Sequence, residues 1–434
     1  MKKILFSICT ILMVLSCGQN QNKKAAEQGQ AQQPQEKVQQ PQEQVQQPLS
    51  NSVVYEMNVR QYTPEGTFAA AQKELPRLAE MGVDILWLMP IYPIGVEGRK
   101  MGPEDLGSYY AVRNYCDVNP EFGTLADFDN FLAEAHKLGL RVVLDWVANH
   151  TSPDAVWVTG KPADWYERDA EGNTTYTADW SDTANLNYEN KEVWKGMSDA
   201  MHFWMERGID GFRCDMACEV PLEFWQETIA GLRAKYPEMY MLAEGEEPKL
   251  HTLSGFNASY SWELHHMMND IAQGRKNIPE LLAYIEKDAQ RHPADSVNAF
   301  RLMFTSNHDE NSWAGTEFER MGDAAKLMAV LTFTLPGGQP LIYTGQEMGW
   351  NKRFEFFTHD PIPAWEKNEY FDFYKGLIKI RHENPALAAG ADGGKFEVIS
   401  AEDSVLVFTR TLPDNKVTVK AELKAPWSYE ITVE

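Results

Sequence analysis

Three short runs decide the fold of this chain, and they are IDGFRCDMA (residues 209–217), YMLAEGE (residues 240–246) and MFTSNHDEN (residues 303–311). Each run begins with apolar residues typical of a buried strand and ends in a carboxylate beside Arg, Gly or His. In a parallel barrel the carboxyl ends of the strands meet at one face. The pattern therefore predicts that Asp215, Glu244 and Asp309 share one pocket.

Strand candidates alternate with amphipathic helix candidates throughout the sequence after Ser50. The strand candidates are rich in Val, Ile, Leu, Met and aromatic residues, and they lie at residues 53–59, 83–89, 141–147, 211–216, 240–244, 256–262, 301–306 and 340–345. Eight strands that alternate with helices predict an α/β fold of the (β/α)8 TIM barrel type. A doubly wound open sheet is the alternative, but no GxGxxG motif follows the first strand.

Two segments depart from the regular alternation. Residues 151–187 are rich in Asp, Thr, Trp and Gly, which predicts a small excursion domain after the third strand. Residues 385–434 alternate with period two and contain the turn signal PDN at residues 413–415, which predicts a short C-terminal β domain. The barrel, with its excursion, is assigned to residues 51–384.

The N-terminus has the features of an export signal. Two lysines precede an apolar run over residues 4–15 that is too short to span a bilayer. Residues 1–17 end in VLSC, which resembles a bacterial lipobox and predicts lipidation of Cys17; an ordinary cleaved signal peptide is the alternative. Gln, Pro, Glu and Lys dominate residues 18–50, which predicts a disordered tether. We expect an exported, membrane-anchored lipoprotein of the outer membrane, and its periplasmic or cell-surface location stays open.

The composition excludes some partners and chemistries. With 40 Lys and Arg against 63 Asp and Glu, the formal net charge is -23, which disfavours nucleic acid as a partner. Apart from two cysteines in the signal segment, only Cys116, Cys214 and Cys218 remain, and their spacing is not that of metal ligands. These residues are predicted to be free thiols.

The strand ends themselves indicate a division of chemical roles. Residues two apart on a strand point to the same side, so Arg213 and Asp215 should face the pocket together. A neighbouring guanidinium favours the ionised carboxylate, which suits a nucleophile. Glu244 ends a very apolar strand, where desolvation would raise its pKa and suit a proton donor. Such a split pair is what retaining glycoside hydrolysis requires.

Four runs, in order, resemble the motifs of the α-amylase superfamily, glycoside hydrolase family 13. They are DWVANH (residues 145–150), GFRCDMA (211–217), LAEGE (242–246) and SNHDEN (306–311). The resemblance extends from about residue 52 to the C-terminus. It implies a TIM-barrel glycosidase that cleaves α-1,4-glucosidic bonds in starch or maltooligosaccharides through a covalent glycosyl-enzyme intermediate.

The resemblance also implies a role for each motif residue. Asp215 would be the nucleophile, Glu244 the general acid and then the base, and Asp309 the residue that holds the sugar hydroxyls. Asp145 is assigned a buried structural role. The residues implied to contact or orient the substrate are Tyr110, His150, Arg213, His308 and Glu219.

Departures from the family pattern leave the substrate open. Cys218 and Glu219 stand where many α-amylases carry Lys-His, so the leaving-group sugars should be bound differently. The surrounding residues are similar to cyclomaltodextrinases and neopullulanases, which keeps α-1,6 cleavage and transglycosylation as alternatives. A non-catalytic glycan-binding lipoprotein is disfavoured because all three carboxylates are present. No cofactor is expected to be required. Calcium stays open, because Asn149 matches a family ligand whereas Asn185 replaces the usual Asp.

Overall fold

A computed structural model describes residues 46–100, 104–293 and 298–434. The strands are β1 Val54–Met57, β2 Ile85–Leu88, β3 Arg141–Val147, β4 His150–Thr151, β5 Ala184–Asn185, β6 Gly211–Asp215, β7 Tyr240–Ala243, β8 Ala258–Tyr260, β9 Phe300–Met303, β10 Gly338–Tyr343, β11 Lys395–Glu402, β12 Val405–Leu412, β13 Asn415–Glu422 and β14 Ser428–Val433. The α-helices are Val59–Tyr62, Phe68–Ala71, Leu75–Met81, Leu125–Lys137, Val156–Gly160, Lys191–Arg207, Leu222–Lys235, Lys249–Thr252, Trp262–Ala272, Ile278–Arg291, Glu317–Met321, Ala325–Thr334 and Glu369–Glu383. The predicted signal peptide, Cys17 and most of the predicted tether lie outside the described residues.

Eight strands close into a parallel barrel in the order β1-β10-β9-β8-β7-β6-β3-β2. The barrel closes because β1 pairs in parallel with both β2 and β10, so that Val54 lies beside Ile85 and Leu341. Almost every residue of these strands is buried, as expected where helices cover the outside of a parallel sheet. The predicted TIM barrel is confirmed, and the open-sheet alternative is wrong.

The outer helices begin and end where local signals predict. Thr124 and Asp127 form a capping box at the start of helix Leu125–Lys137. Helix Lys191–Arg207 ends at Gly208, whose φ of 99° is the left-handed conformation that terminates helices. The crossover after β7 is short and contains only the four-residue helix Lys249–Thr252.

Two smaller sheets accompany the barrel. Strands β4 and β5 pair antiparallel within the segment that follows β3, where His150 lies opposite Asn185. Strands β11 to β14 form an antiparallel sheet in sequence order, and Leu406 and Phe408 of this sheet share an apolar cluster with Met328 of helix Ala325–Thr334. The predicted C-terminal β structure is confirmed. Within the described ranges, no helix is both long and apolar enough to cross a membrane.

A fully buried arginine ties together the base of the barrel, where the strands begin. Arg381 donates hydrogen bonds to five backbone carbonyls, those of Ser50, Asn51, Phe333, Gly338 and Leu387. These carbonyls come from the segment before β1, helix Ala325–Thr334, the start of β10 and the turn at Pro385–Leu387. All five N–H groups of the guanidinium are therefore used to join these segments.

Candidate active site

The three carboxylates predicted to share a pocket do so, at the carboxyl ends of the barrel strands. Asp215 is the last residue of β6, Glu244 immediately follows β7, and Asp309 lies in the loop after β9. They face one cavity of about 630 Å³. This cavity is also lined by Lys100, Ser108, Tyr110, His150, Asp179, Trp180, Asp182, Thr183, Met216, His308, Trp313, Phe356 and Phe357.

Arg213 contacts both Asp215 and Glu244. Its Nη1 lies 3.0 Å from Oδ1 of Asp215 and 3.0 Å from Oδ1 of the fully buried Asp145. Its Nη2 lies 3.0 Å from Oε2 of Glu244. Its Nε donates to the hydroxyl of Tyr260 at 3.2 Å. One guanidinium thus bridges three carboxylates and orients two of them toward the cavity.

The pKa order of the pair is the reverse of the sequence-based expectation. Burial and then the negative charge of Glu244 raise the pKa of Asp215 well above its usual value. Burial would also raise the pKa of Glu244, but the Arg213 guanidinium and the Met216 backbone N–H, which donates to Oε2 at 2.9 Å, outweigh it and lower that pKa. The expectation was wrong because Arg213 contacts both carboxylates. The two carboxyl groups also share a hydrogen bond.

His308 belongs to a buried chain of polar groups beside Asp309. Its Nδ1 lies 2.6 Å from Oε1 of Glu56, its Nε2 is 2.7 Å from the hydroxyl of Tyr110, and the same nitrogen lies 3.3 Å from Oδ2 of Asp309. Burial would lower the pKa of His308, but Asp309 and Glu56 outweigh it and raise the pKa to about 9. His308 is therefore an imidazolium at neutral pH, between two acidic groups.

His150 has a different electrostatic state from His308. It is 2% exposed, and burial lowers its pKa to about 4, so the ring is neutral. Nδ1 lies 3.2 Å from the amide nitrogen of Asn149. Nε2 has no hydrogen-bond partner among the described residues. His150 lines the cavity, and its contact with a sugar stays a prediction.

Most of the predicted site residues come together, but Glu219 does not join them. Tyr110, His150 and His308 line the cavity of the carboxylates, and Arg213 lies directly beneath it. Glu219 is exposed and lines a separate cavity with Asn149 and Asn185. Its contact with leaving-group sugars stays a prediction.

The asparagines considered for calcium, Asn149 and Asn185, line one cavity with Glu167. Asn185 accepts a hydrogen bond from the hydroxyl of Thr177 and donates to Glu167, both at 3.3 Å, so its amide is already engaged. The described part of the chain has no cluster of three or more His, Cys, Asp or Glu side chains that could hold a metal. Calcium binding stays a prediction, and no chemical step is assigned to a metal.

Sequence reasoning missed Glu56 and the aromatic wall formed by Trp180, Trp313 and Phe356. Glu56 is fully buried in the centre of β1. A lone carboxylate in an otherwise apolar strand could have identified it, since a buried charge requires a partner. Trp180 and Phe356 lie in irregular segments and Trp313 in a short π-helix, where no periodic pattern distinguishes a cavity wall from ordinary packing.

Comparisons with known proteins agree with this geometry. A family model described as "Alpha amylase, catalytic domain" matches residues 58–180 and 161–364. Alpha-amylase 3 of Dictyoglomus thermophilum is 25% identical, over 85% of this chain and 84% of that protein. The alpha-1,4-glucan:maltose-1-phosphate maltosyltransferase of Rhodospirillum rubrum is 31% identical over 77% of this chain, which spans about half (52%) of that relative. The crystal structure of an alpha-amylase from Lactobacillus plantarum is 33% identical, with a TM-score of 0.77 over 86% of this chain and 89% of that one.

Proposed function

Since the chain belongs to the α-amylase catalytic-domain family, whose members act on glycosidic bonds, we propose that it is a retaining hydrolase of α-1,4-glucosidic bonds in starch-like oligosaccharides. The observation that supports this most strongly is the Arg213-bridged pair of carboxylates in the cavity. A hydrogen bond joins Asp215 and Glu244, so they lie closer than the roughly 6.5–9.5 Å that an inverting pair leaves for water.

The first step forms a covalent intermediate. Asp215 attacks the anomeric carbon while Glu244 donates its proton to the leaving oxygen, and the departing sugar takes that proton away. Without substrate, burial and the charge of Glu244 raise the pKa of Asp215, whereas Arg213 and the Met216 N–H lower that of Glu244. A sugar that places its anomeric carbon at Asp215 and its bridging oxygen at Glu244 needs Asp215 ionised and Glu244 protonated.

The second step restores the enzyme. Glu244, now ionised, removes a proton from water, and the resulting hydroxide displaces Asp215 from the anomeric carbon. Asp309, beside the imidazolium of His308, would hold the sugar hydroxyls through both steps. Because both displacements invert the anomeric carbon, the product retains the α configuration.

Replacement of Asp215 tests this proposal. We expect Asp215→Asn to lower kcat/KM for maltoheptaose by roughly 10⁴-fold or more, as removal of a nucleophile does in other enzymes. The matched control is Asp129→Asn, an exposed residue that pairs with Arg207 on an outer helix. Hydrolysis by Asp215→Asn at more than a hundredth of the wild-type rate would contradict the proposal.

Transglycosylation is the second candidate, and the maltosyltransferase relative favours it. The same intermediate would react with a sugar hydroxyl in place of water. Products from amylose, pullulan and cyclodextrin separate the activities: short maltooligosaccharides indicate hydrolysis, oligosaccharides longer than the substrate indicate transfer, and rapid cleavage of pullulan or cyclodextrin indicates the cyclomaltodextrinase and neopullulanase type.

We also propose that the protein is exported and anchored by lipid at Cys17. The basic start, the short apolar run and the VLSC ending of residues 1–17 support this. Labelling with a fatty-acid analogue should mark the wild-type chain in cells and leave Cys17→Ser unmarked. Protease treatment of whole cells would then decide between the periplasmic and the cell-surface face.

A further inference from the structure

One buried carboxylate inside the barrel takes no part in the two displacement steps. Glu56 is the third residue of β1 and is fully buried. It lies on the same face of the strand as Val54, which belongs to an apolar cluster with Trp87 of β2. Its Oε1 lies 2.6 Å from Nδ1 of His308, and within the described ranges its Oε2 has no hydrogen-bond partner. The ring of His308 is therefore the group through which Glu56 can affect the site.

The hydrogen bonds around His308 require both ring nitrogens to donate. Nδ1 faces the carboxylate of Glu56, which in its ionised form only accepts. Nε2 lies 2.7 Å from the hydroxyl of Tyr110, and that hydroxyl donates its own proton to Oδ2 of Asp145 at 3.2 Å. Nε2 also faces Oδ2 of Asp309 at 3.3 Å. A ring that donates from both nitrogens is an imidazolium.

Charged groups from several strands act on this ring. Burial lowers the pKa of His308, but the negative charges of Asp309 and Glu56 outweigh it, and the guanidinium of Arg213 works against the rise. Burial raises the pKa of Glu56, and the charge of His308 opposes that change. Glu56 and His308 therefore each favour the charged form of the other. The other titratable groups that act on or contact the ring are Tyr110, Asp145 on β3 and Glu244 after β7.

The charge on His308 affects the residue proposed to hold the sugar hydroxyls. With its proton, Nε2 donates toward Asp309 and toward the Tyr110 hydroxyl. Without that proton, Nε2 would direct a lone pair at the oxygens of both groups, and burial would favour protonation of Asp309. A protonated carboxyl group accepts fewer hydrogen bonds from sugar hydroxyls. Loss of the charge on His308 should therefore lower the rate of cleavage.

We propose that Glu56 is a positioning residue for the cleavage reaction, which accepts the Nδ1–H of His308 and so holds that ring as a charged donor to Asp309. This inference rests on the proposed glycosidase function and adds to it a residue outside the catalytic cavity. Because Glu56 acts through His308, its replacement should change the pH at which activity is lost rather than the bond that is cleaved.

The test is the pH profile of kcat/KM for α-maltosyl fluoride, whose leaving group needs no proton from Glu244. In wild type the alkaline loss of kcat/KM should lie near pH 9, where His308 loses its proton. In Glu56→Gln it should lie at least about one pH unit lower, because one of two negative neighbours of the ring is removed. The matched control is Glu317→Gln, which replaces another buried carboxylate, outside the cavity, and should keep the wild-type profile. An alkaline limb that does not move in Glu56→Gln would overturn the positioning role.

A second measurement observes the ring itself and requires no turnover. Nitrogen NMR of protein labelled at its histidine rings should show His308, assigned by its absence in His308→Gln, titrating near pH 9 in wild type. The midpoint should be at least about one pH unit lower in Glu56→Gln. A wild-type midpoint near the ordinary histidine value of about 6.5, or equal midpoints in the two proteins, would overturn the proposal. Failure of wild type to cleave maltooligosaccharides and α-maltosyl fluoride would count against the proposed function instead, and the NMR titration would still decide the role of Glu56.

Discussion

Two fully buried arginines occupy opposite ends of the barrel and have opposite kinds of partners. At the carboxyl end of the strands, Arg213 contacts the carboxylates of Asp145, Asp215 and Glu244. At the base, Arg381 donates only to backbone carbonyls, and its burial followed by the nearby charge of Arg410 lowers its pKa to about 9. The same side chain is thus used with two different kinds of acceptor.

The difference shows what separates a reactive site from a structural one. The carbonyls around Arg381 cannot change charge, so that arrangement only joins segments of the chain. The carboxylates around Arg213 can change charge, and two of them, Asp215 and Glu244, line the cavity. Function at the carboxyl end of the strands therefore depends on the charge of the carboxylates that contact Arg213. Stability at the base depends on the number of hydrogen bonds that Arg381 donates.

The largest effect is expected when Glu244, at the carboxyl end of the strands, can no longer donate a proton. Glu244→Gln should lower kcat for maltooligosaccharides roughly 10⁴-fold, because the amide cannot protonate the leaving oxygen. The kcat/KM for α-maltosyl fluoride, which reports only the first step and whose leaving group needs no proton, should fall far less than the kcat/KM for maltooligosaccharides. Steady-state kinetics on both substrates measures the two losses. The control is Glu206→Gln, a substitution of an exposed residue. An equal loss of kcat/KM on the two substrates would show that Glu244 is not the acid.

A smaller effect, on stability alone, is expected at the base. Arg381→Lys leaves at least two buried carbonyls without donors, which should lower the free energy of unfolding by about 3 kcal/mol. The kcat of the folded variant should equal that of wild type. Urea denaturation and kinetics check both statements, with Arg207→Lys on the surface as control. If Arg381→Lys lowered kcat and left the free energy of unfolding unchanged, the structural role of Arg381 would be contradicted.

The smallest effect is a pH dependence of the free energy of unfolding, caused by His308 at the carboxyl end of the strands. The raised pKa of His308, about 9, exceeds its unfolded value of about 6.5, so its contribution is complete below pH 6.5 and is lost as pH rises through 9. We expect wild type to lose of the order of 2 kcal/mol of stability between these values relative to His308→Gln. Urea denaturation at pH 6.5 and 9.5 measures the difference. An equal change in the free energy of unfolding between the two pH values in both proteins would disprove the charged pair of His308 with Glu56.

Much of this architecture could be predicted because it depends on local patterns. The apolar strands ending in Asp215 and Glu244 are continuous in sequence, and burial of every residue makes such strands easy to identify. Asp309 and His308 follow the same logic, since they belong to one short run after β9. The barrel then places these strand ends together by geometry alone.

The remaining features depend on contacts between distant segments. The pKa order of the catalytic pair depends on the reach of Arg213 to Glu244, which no spacing along the chain reveals. Glu56 was missed because its partner, His308, is 252 residues away. The place of Trp313 depends on a π-helical turn anchored by His265, and propensities do not predict such a turn.

The most direct measurement of the central proposal is the anomeric configuration of the first product. Proton NMR during early hydrolysis of maltoheptaose resolves the α and β anomers before they equilibrate. If Asp215 forms a covalent intermediate that Glu244 then hydrolyses, the initial signal belongs to the α anomer and the β anomer grows in later by mutarotation. An initial β signal would mean direct attack by water and would contradict the proposed roles of both residues.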